Sequence, residues 1–165
     1  MSQFKVVKYS KEYFSKTAEL LSLFRYQLRK YKGIDSKPDI KSALEEVDSF
    51  SKDENYPIYL CLEKEKVVGY MVLKIDGVIW VEQIYVDESY RRKGVASLLY
   101  EEAKKIAKKI GEDTLFNCVH PNNDGIISFL KAKGYTVLNL IEIRKPYKDE
   151  KTKTVIKVGN NEFDY

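Results

Sequence analysis

The sequence predicts a mixed α/β fold in which helices cover the faces of one central sheet. Residues 56–88 contain three runs rich in Val, Ile, Tyr and Leu, separated by two short turns. Four other segments repeat apolar residues at intervals of three and four, which is typical of amphipathic helices. The resulting order, β-α-α-β-β-β-α-β-α-β-β, predicts a mixed sheet.

The N-terminal third predicts one strand and two helices. Residues 4–9 alternate as a strand does, and Ser10 is expected to cap the first helix, which Gly33 ends. Asp39 is expected to cap a second helix through Phe50. The apolar stripes of these helices are Phe14, Ala18, Leu21, Phe24 and Leu28, then Ile40, Leu44 and Val47.

The second half predicts a helix after Gly94, ending near Lys109, and a further helix ended by Gly134. A strand over 114–120 lies between them, and a right-handed crossover makes it parallel to the fourth strand, with antiparallel hairpins before it. The last two strands are expected at 136–145 and 152–159.

Composition sets the broad class. The 165 residues are expected to form a single domain, 1–165, with no structural metal. Cys61 and Cys118 lie in apolar runs and are interpreted as reduced, structural thiols. The net charge of +4 is spread among interspersed Lys and Glu, which argues against nucleic-acid binding. No membrane span or signal peptide is evident, so a cytoplasmic location is expected.

A basic turn is the strongest chemical feature. Arg91, Arg92 and Lys93 precede Gly94, at the start of a predicted helix. The first turn of a helix leaves backbone N–H groups unpaired and carries positive potential, so a phosphate would bind there. The alternative is that Gly94 only relieves a turn and that the basic side chains are solvated.

The spacing Arg91-x-x-Gly94-x-Ala96 resembles the pyrophosphate-binding motif of the GNAT superfamily of N-acetyltransferases. A second segment, 119–135, is similar to the strand 5 to helix 4 segment of that family. The matching positions there are Asn123, Ile126, Phe129, Leu130, Gly134 and Tyr135. The predicted element order is also that of the family.

The resemblance implies that strands 4 and 5 splay apart to form a cleft for coenzyme A, with acetyl-CoA as cosubstrate and no metal. It implies that a bulge in strand 4 binds the pantetheine arm through its main chain, and that Asn123 bonds the pantetheine or the reacting amide region. The positions that match the bulge are Ile84, Tyr85 and Val86. The pyrophosphate would contact the amides of Arg92, Lys93, Gly94, Val95 and Ala96, with Arg91 and Ser97 nearby.

Glu82 is the candidate general base. It lies in the otherwise apolar run 78–86, and alternation predicts that it shares a face with Ile84, half-buried and with a raised pKa. The alternatives are an ion pair at Glu82 and a proton relay through His120, the single histidine. Leu130 stands where the family often has a tyrosine as general acid, and Ile126 where it often has a smaller residue.

These features predict an acetyl-CoA-dependent N-acetyltransferase that transfers the acetyl group directly in a ternary complex. The alternative is a GNAT-fold module that binds acyl-CoA without turnover. The acceptor amine is left open among a protein N-terminus, a lysine, a polyamine and other small amines. Tyr26, Tyr31 and Tyr85 are candidates to line its site, and residues 142–154 are expected either to cover it or to pair with a second subunit.

Overall fold

The computed structural model describes residues 3–165, and these form two compact units, one ending at Phe129 and one spanning Leu130–Tyr165. Among the described residues, no helix has the length and apolar character needed to cross a bilayer. The helices up to the end of α4 are α1 Phe14–Tyr31, α2 Ile40–Ser51, α3 Val95–Lys109 and α4 Asp124–Ala132. The strands of the larger unit are β1 Phe4–Lys8, β2 Ile58–Glu63, β3 Lys66–Asp76, β4 Val78–Val86 and β5 Phe116–Asn117.

The five strands form one sheet in the order β1-β2-β3-β4-β5. The first three pairings are antiparallel, and β4 pairs with β5 in parallel. Short turns join β2 to β3 and β3 to β4, whereas the parallel pair is connected through α3. The predicted mixed sheet, with parallel strands 4 and 5, is confirmed.

The helix ends follow local chemistry at most positions. Asp39 caps α2, because its side chain accepts a hydrogen bond from the Ser42 amide at 3.0 Å. Gly33 follows the last turn of α1 with φ +70°, a conformation that favours glycine. The expected cap at Ser10 is wrong, since its hydroxyl bonds the Glu12 carboxylate at 2.7 Å instead, beside a short 3-10 turn, Lys11–Tyr13.

Helices α1 and α2 pack on one face of the sheet and α3 on the other. The core on the first face includes Ala18, Val47 and Tyr70. A Cβ placed on Gly69, the residue before Tyr70, would point at the Val95 side chain of α3. Because successive strand residues face opposite sides, the two helical layers lie on opposite faces.

The predicted strand over 136–145 is wrong, because this segment has no regular secondary structure. Its apolar side chains are exposed, Val137 to 87% and Leu140 to 70%. Alternation and β-branched residues only favour a strand, which also needs a partner for its backbone groups, and none of residues 3–165 pairs with this segment. The last two strands are β6 Val155–Val158 and β7 Asn161–Asp164, which form a separate hairpin.

Strand β5 spans only Phe116–Asn117 rather than the predicted 114–120, so Cys118 lies outside it. Cys61 on β2 is fully buried, and burial raises the pKa of its thiol to about 11. Cys118 follows the last residue of β5 and is exposed. The expectation of a buried thiol therefore holds for Cys61 and is wrong for Cys118.

Candidate active site

A cleft begins where β4 and β5 separate. The two strands pair only at Trp80 with Phe116 and at Val81 with Asn117, where the Trp80 and Phe116 rings are 5.1 Å apart. Beyond Val81, β4 continues to Val86, and no strand within residues 3–165 pairs with its β5-side edge. Main-chain donors and acceptors on that edge are therefore available to an extended ligand.

A β-bulge marks the same point on β4. The register with β3 pairs Val81 with Leu73 and Gln83 with Val72, so Glu82 is the extra residue. The resemblance placed the bulge at Ile84, Tyr85 and Val86, and this position is wrong by two residues. These three residues lie directly after the bulge, on the part of β4 that β5 does not cover.

The bulge also changes the surroundings of Glu82. Val81 and Ile84 oppose Leu73 and Met71, which share one face of β3, so alternation fails between them. The alternation from which a common face of Glu82 and Ile84 was predicted is therefore interrupted between them. The expected half-burial of Glu82 is wrong, since its side chain is exposed.

The turn from β4 to α3 is built from hydrogen bonds of its own. The Asp87 carboxylate accepts from the Ser89 amide at 2.9 Å and caps the short 3-10 helix Glu88–Tyr90. The Ser89 hydroxyl also donates to this carboxylate, and its bond is the largest cause of the lowered pKa of Asp87. The bond from the Ser89 amide contributes less. Arg91 Nε donates to the Val86 carbonyl at 3.2 Å, so Arg91 ties the turn to the end of β4.

The start of α3 has the geometry of an anion site. Gly94 is the N-cap, with φ +89°, and contributes no side-chain cap. A left-handed residue followed by helical ones turns successive N–H groups towards one point, as in anion-binding nests. The amides of Val95, Ala96 and Ser97 belong to the first turn, whose N–H groups have no intrahelical partners. The predicted anion site thus has the backbone geometry it requires.

The basic side chains around this turn differ in their contacts. Arg91 Nη1 lies 3.3 Å from Glu88 Oε1. The central carbon of the same guanidinium lies 5.4 Å from the centre of the Tyr85 ring. Lys93 lies over the Tyr90 ring at 5.1 Å. Arg92 has φ +62°, a strained conformation for a residue with a side chain. Positive charge is therefore concentrated beside the open amides.

Gly69 is a site residue that the sequence reasoning missed. A Cβ here would lie 2.9 Å from Val95 Cγ1 and 3.1 Å from the Tyr85 carbonyl oxygen. Only glycine therefore allows the first residue of α3 to approach the sheet so closely. The signal was a lone glycine within a strand, which indicates close approach of another element.

Replacing Gly69 with alanine is expected to destabilise the protein by roughly 1–3 kcal/mol, because the added methyl overpacks a filled site. It is also expected to weaken coenzyme A binding, since Val95 carries the open amides of α3. Because Val95→Ala removes the clashing Cγ1, the double variant should lose less stability than the sum of the single losses. Chemical denaturation measures this, and strictly additive losses would contradict the proposed contact.

The residues after β5 form a hydrogen-bonded cluster with the end of α1. Asn123 Oδ1 accepts from the Tyr31 hydroxyl at 3.2 Å and from the Ile126 amide at 3.3 Å. The Tyr31 ring stacks on His120 with centres 5.8 Å apart. The Asn122 amide donates to His120 Nδ1 at 3.3 Å. Burial, with a smaller contribution from Lys32, lowers the pKa of His120, so the neutral imidazole is favoured.

The two residues that depart from the family pattern, Ile126 and Leu130, both lie on α4. Ile126 is half-buried in the first turn. Leu130 is 7% exposed, and its side chain has no proton to give. Phe129 packs edge-on against Tyr100 of α3 at 5.1 Å, and the Tyr100 hydroxyl also bonds Asn117 on β5.

Comparison with known families identifies the chain. The model of the acetyltransferase (GNAT) family matches residues 19–135, which include the bulge, the open helix start and Asn123. The chain belongs to this family. The resemblance to the GNAT superfamily is therefore confirmed.

Solved structures of acetyltransferases share the fold of this chain. Aminoglycoside 6'-N-acetyltransferase AAC(6')-Ih from Acinetobacter baumannii has a TM-score of 0.68 at 16% identity, over 88% of this chain and 99% of its own. AAC(6')-Iy in complex with the bisubstrate analog CoA-S-monomethyl-acetylneamine has a TM-score of 0.66 at 18% identity, over 88% of this chain and 100% of its own.

A curated relative by sequence is the probable N-acetyltransferase san of Drosophila melanogaster. It is 30% identical over 82 residues, which are 46% of this chain and 45% of the fly protein. The match therefore spans less than half the length of either protein.

Proposed function

We propose that this GNAT acetyltransferase moves the acetyl group of acetyl-CoA directly to a primary amine in a ternary complex. The observation that carries the proposal is the open start of α3 beside the unpaired edge of β4. The turn lies just beyond the end of that edge, so one extended ligand would contact both. A diphosphate followed by a pantetheine arm has this shape and this order of chemical groups.

The residues present fit coenzyme A. Amides of Arg92 to Ala96 would bind the pyrophosphate, with Ser97 nearby, and the charges of Arg91 and Lys93 would lie at its rim. Main-chain groups of Ile84, Tyr85 and Val86 would bond the pantetheine arm, although Arg91 already occupies one acceptor site on the Val86 carbonyl. Asn123 accepts through Oδ1, so its amide nitrogen is the end that would donate to the ligand.

Glu82 is the proposed base. A primary alkylamine has a pKa near ~10.4, so at neutral pH it arrives as an ammonium and must lose a proton before it can attack. Glu82 would accept that proton, directly or through water. The neutral amine nitrogen then bonds the thioester carbonyl carbon, the C–S bond breaks, and the sulfur leaves with the electron pair as a thiolate. The nitrogen loses its second proton to water or to the departing thiolate, which leaves a neutral amide. Since a thiol pKa is about 8.5, the thiolate leaves without a dedicated acid, which Leu130 could not supply.

The acceptor is proposed only as a primary amine. Two of the structures similar in fold are aminoglycoside 6'-N-acetyltransferases, and the curated relative is a probable N-acetyltransferase. An amine panel of neamine, sisomicin, spermidine and a peptide with a free N-terminus therefore covers the relevant chemistry. Transfer is measured as free thiol released from acetyl-CoA, with mass spectrometry of the acetylated product.

The same panel tests the non-catalytic alternative. We expect amine-dependent thiol release and a product heavier by one acetyl group. Tight coenzyme A binding with no release for any amine would instead favour a binding module without turnover. An acetylated enzyme formed in the absence of amine would contradict direct transfer.

A further inference from the structure

Gln83 is a buried polar residue that the proposed chemistry leaves without a role. It follows Glu82 on β4 and is only 2% exposed, in a strand whose other inward side chains are apolar. Burying a carboxamide costs free energy unless both of its ends are hydrogen-bonded. An apolar residue of similar size would fill this position at lower cost, so the contacts of Gln83 require an explanation.

Both ends of the carboxamide are bonded. Gln83 Nε2 donates to Glu46 Oε1 on α2 at 2.6 Å. Gln83 Oε1 accepts from the Tyr70 hydroxyl on β3 at 3.0 Å. A carboxylate only accepts, so the nitrogen must face Glu46 and the orientation is unique. Tyr70 is fully buried, and burial raises its pKa well above the ordinary value, which keeps the hydroxyl protonated as a donor.

Arg25 of α1 completes the arrangement. Its Nε donates to Glu46 Oε2 at 3.0 Å, and a second guanidinium nitrogen bonds the other carboxylate oxygen. The bond to Glu46 is the largest cause of the raised pKa of Arg25, and the charge of Glu82 also contributes. Arg25 therefore holds the Glu46 carboxylate through two hydrogen bonds.

Glu82 depends on its neighbours for its position. As the extra residue of the bulge, it has no partner on β3. The residues on either side, Val81 and Gln83, are both buried and both paired with β3. Of these two side chains, only that of Gln83 makes hydrogen bonds, and they reach β3 and α2 together.

We propose that Gln83 is a positioning residue for the acetyl-transfer reaction. Its carboxamide, held between the Tyr70 hydroxyl and the Glu46 carboxylate, fixes the β4 bulge and thereby the Glu82 carboxylate. The inference rests on the proposed role of Glu82 as base. Gln83 itself touches neither substrate nor reacting atoms.

Replacing Gln83 with methionine tests this, because methionine keeps the volume and the burial but removes both hydrogen bonds. We expect hydrogen exchange of the β4 amides at 81–84 to rise at least ~tenfold above any global change in stability. With the most active amine of the panel, kcat should fall about tenfold while KM for acetyl-CoA changes less than about twofold. Combining it with Glu82→Gln should cost no more than Glu82→Gln alone.

Thr17→Val is the matched control. Thr17 is fully buried on α1, and its hydroxyl bonds the Tyr13 carbonyl at 2.9 Å, so the variant also removes a hydrogen bond of a buried side chain, but one that does not involve β4. Exchange at 81–84 that rises equally in both variants would overturn the inference. So would losses in kcat that simply multiply in the Glu82→Gln and Gln83→Met double variant.

Substitutions at Glu46 separate geometry from charge. Glu46→Gln keeps an acceptor oxygen for Gln83 and should retain slow exchange at 81–84, whereas Glu46→Ala should reproduce the effect of Gln83→Met. Equal exchange in both Glu46 variants would contradict the inference. An unchanged kcat in Glu82→Gln would contradict the proposed role of Glu82 as base. The hydrogen-exchange measurements would still decide separately whether Gln83 holds the bulge.

Discussion

Replacing Gly94 with glutamate is expected to weaken coenzyme A binding by about 10²-fold or more while leaving the fold intact. The new carboxylate would stand at the helix start, where the amides of Val95 to Ser97 present positive potential. It would occupy the anion site and repel the diphosphate. At a separation of about 4 Å and an effective dielectric constant near 20, this repulsion is about 4 kcal/mol per pair of charges, enough for such a loss.

Gly111→Glu provides a matched control at the other end of the same helix. Gly94 and Gly111 have φ of +89° and +87°, and a Cβ on either has no described atom within 4 Å. Both variants therefore carry the same backbone strain, roughly 1–2 kcal/mol, and the same charge. Calorimetric titration with coenzyme A, alongside melting temperatures, separates the two effects. Equal affinity in both variants would contradict the assignment of the pyrophosphate to this turn.

Replacing Glu82 with glutamine is expected to lower kcat by about 10²-fold at pH 7, the usual contribution of a general base. The loss should shrink as the pH rises towards 9 or 10, because a growing share of an amine with a pKa near ~10.4 is then already neutral. Coenzyme A affinity should not change, since the carboxylate lies off the pyrophosphate turn. Steady-state rates across this pH range give the measurement.

Glu54→Gln is the control for this change, because Glu54 is exposed and precedes Asn55, whose carbonyl accepts from the Ile75 amide at the end of β3 away from the pyrophosphate turn. It removes the same charge at a distance from the cleft. A loss at Glu82 that does not vary with pH would indicate a role in orienting the amine rather than in accepting its proton. Full activity in Glu82→Gln would transfer that role to His120 or to water.

The sequence by itself determined the architecture of the larger unit. Apolar periodicity placed α1, α3 and α4 and the three central strands, and the change from strand to helix after Val86 placed the anion site. These features depend on contacts between residues close in the chain, such as the first-turn amides and the left-handed Gly94. The two short motifs around Gly94 and Asn123 then sufficed for the family.

Only the tertiary structure decided which polar groups meet and which strands pair. The bulge at Glu82 shifts the register of β4 against β3, so alternation could not show that Glu82 is exposed or that Gln83 is the buried neighbour. Glu46, Arg25 and Tyr70 come from three different elements, and no spacing in the sequence indicates that they converge on Gln83. Residues 136–145 have the composition of a strand but no partner within the described chain. Pairing and convergence are long-range properties, set by packing rather than by local propensity.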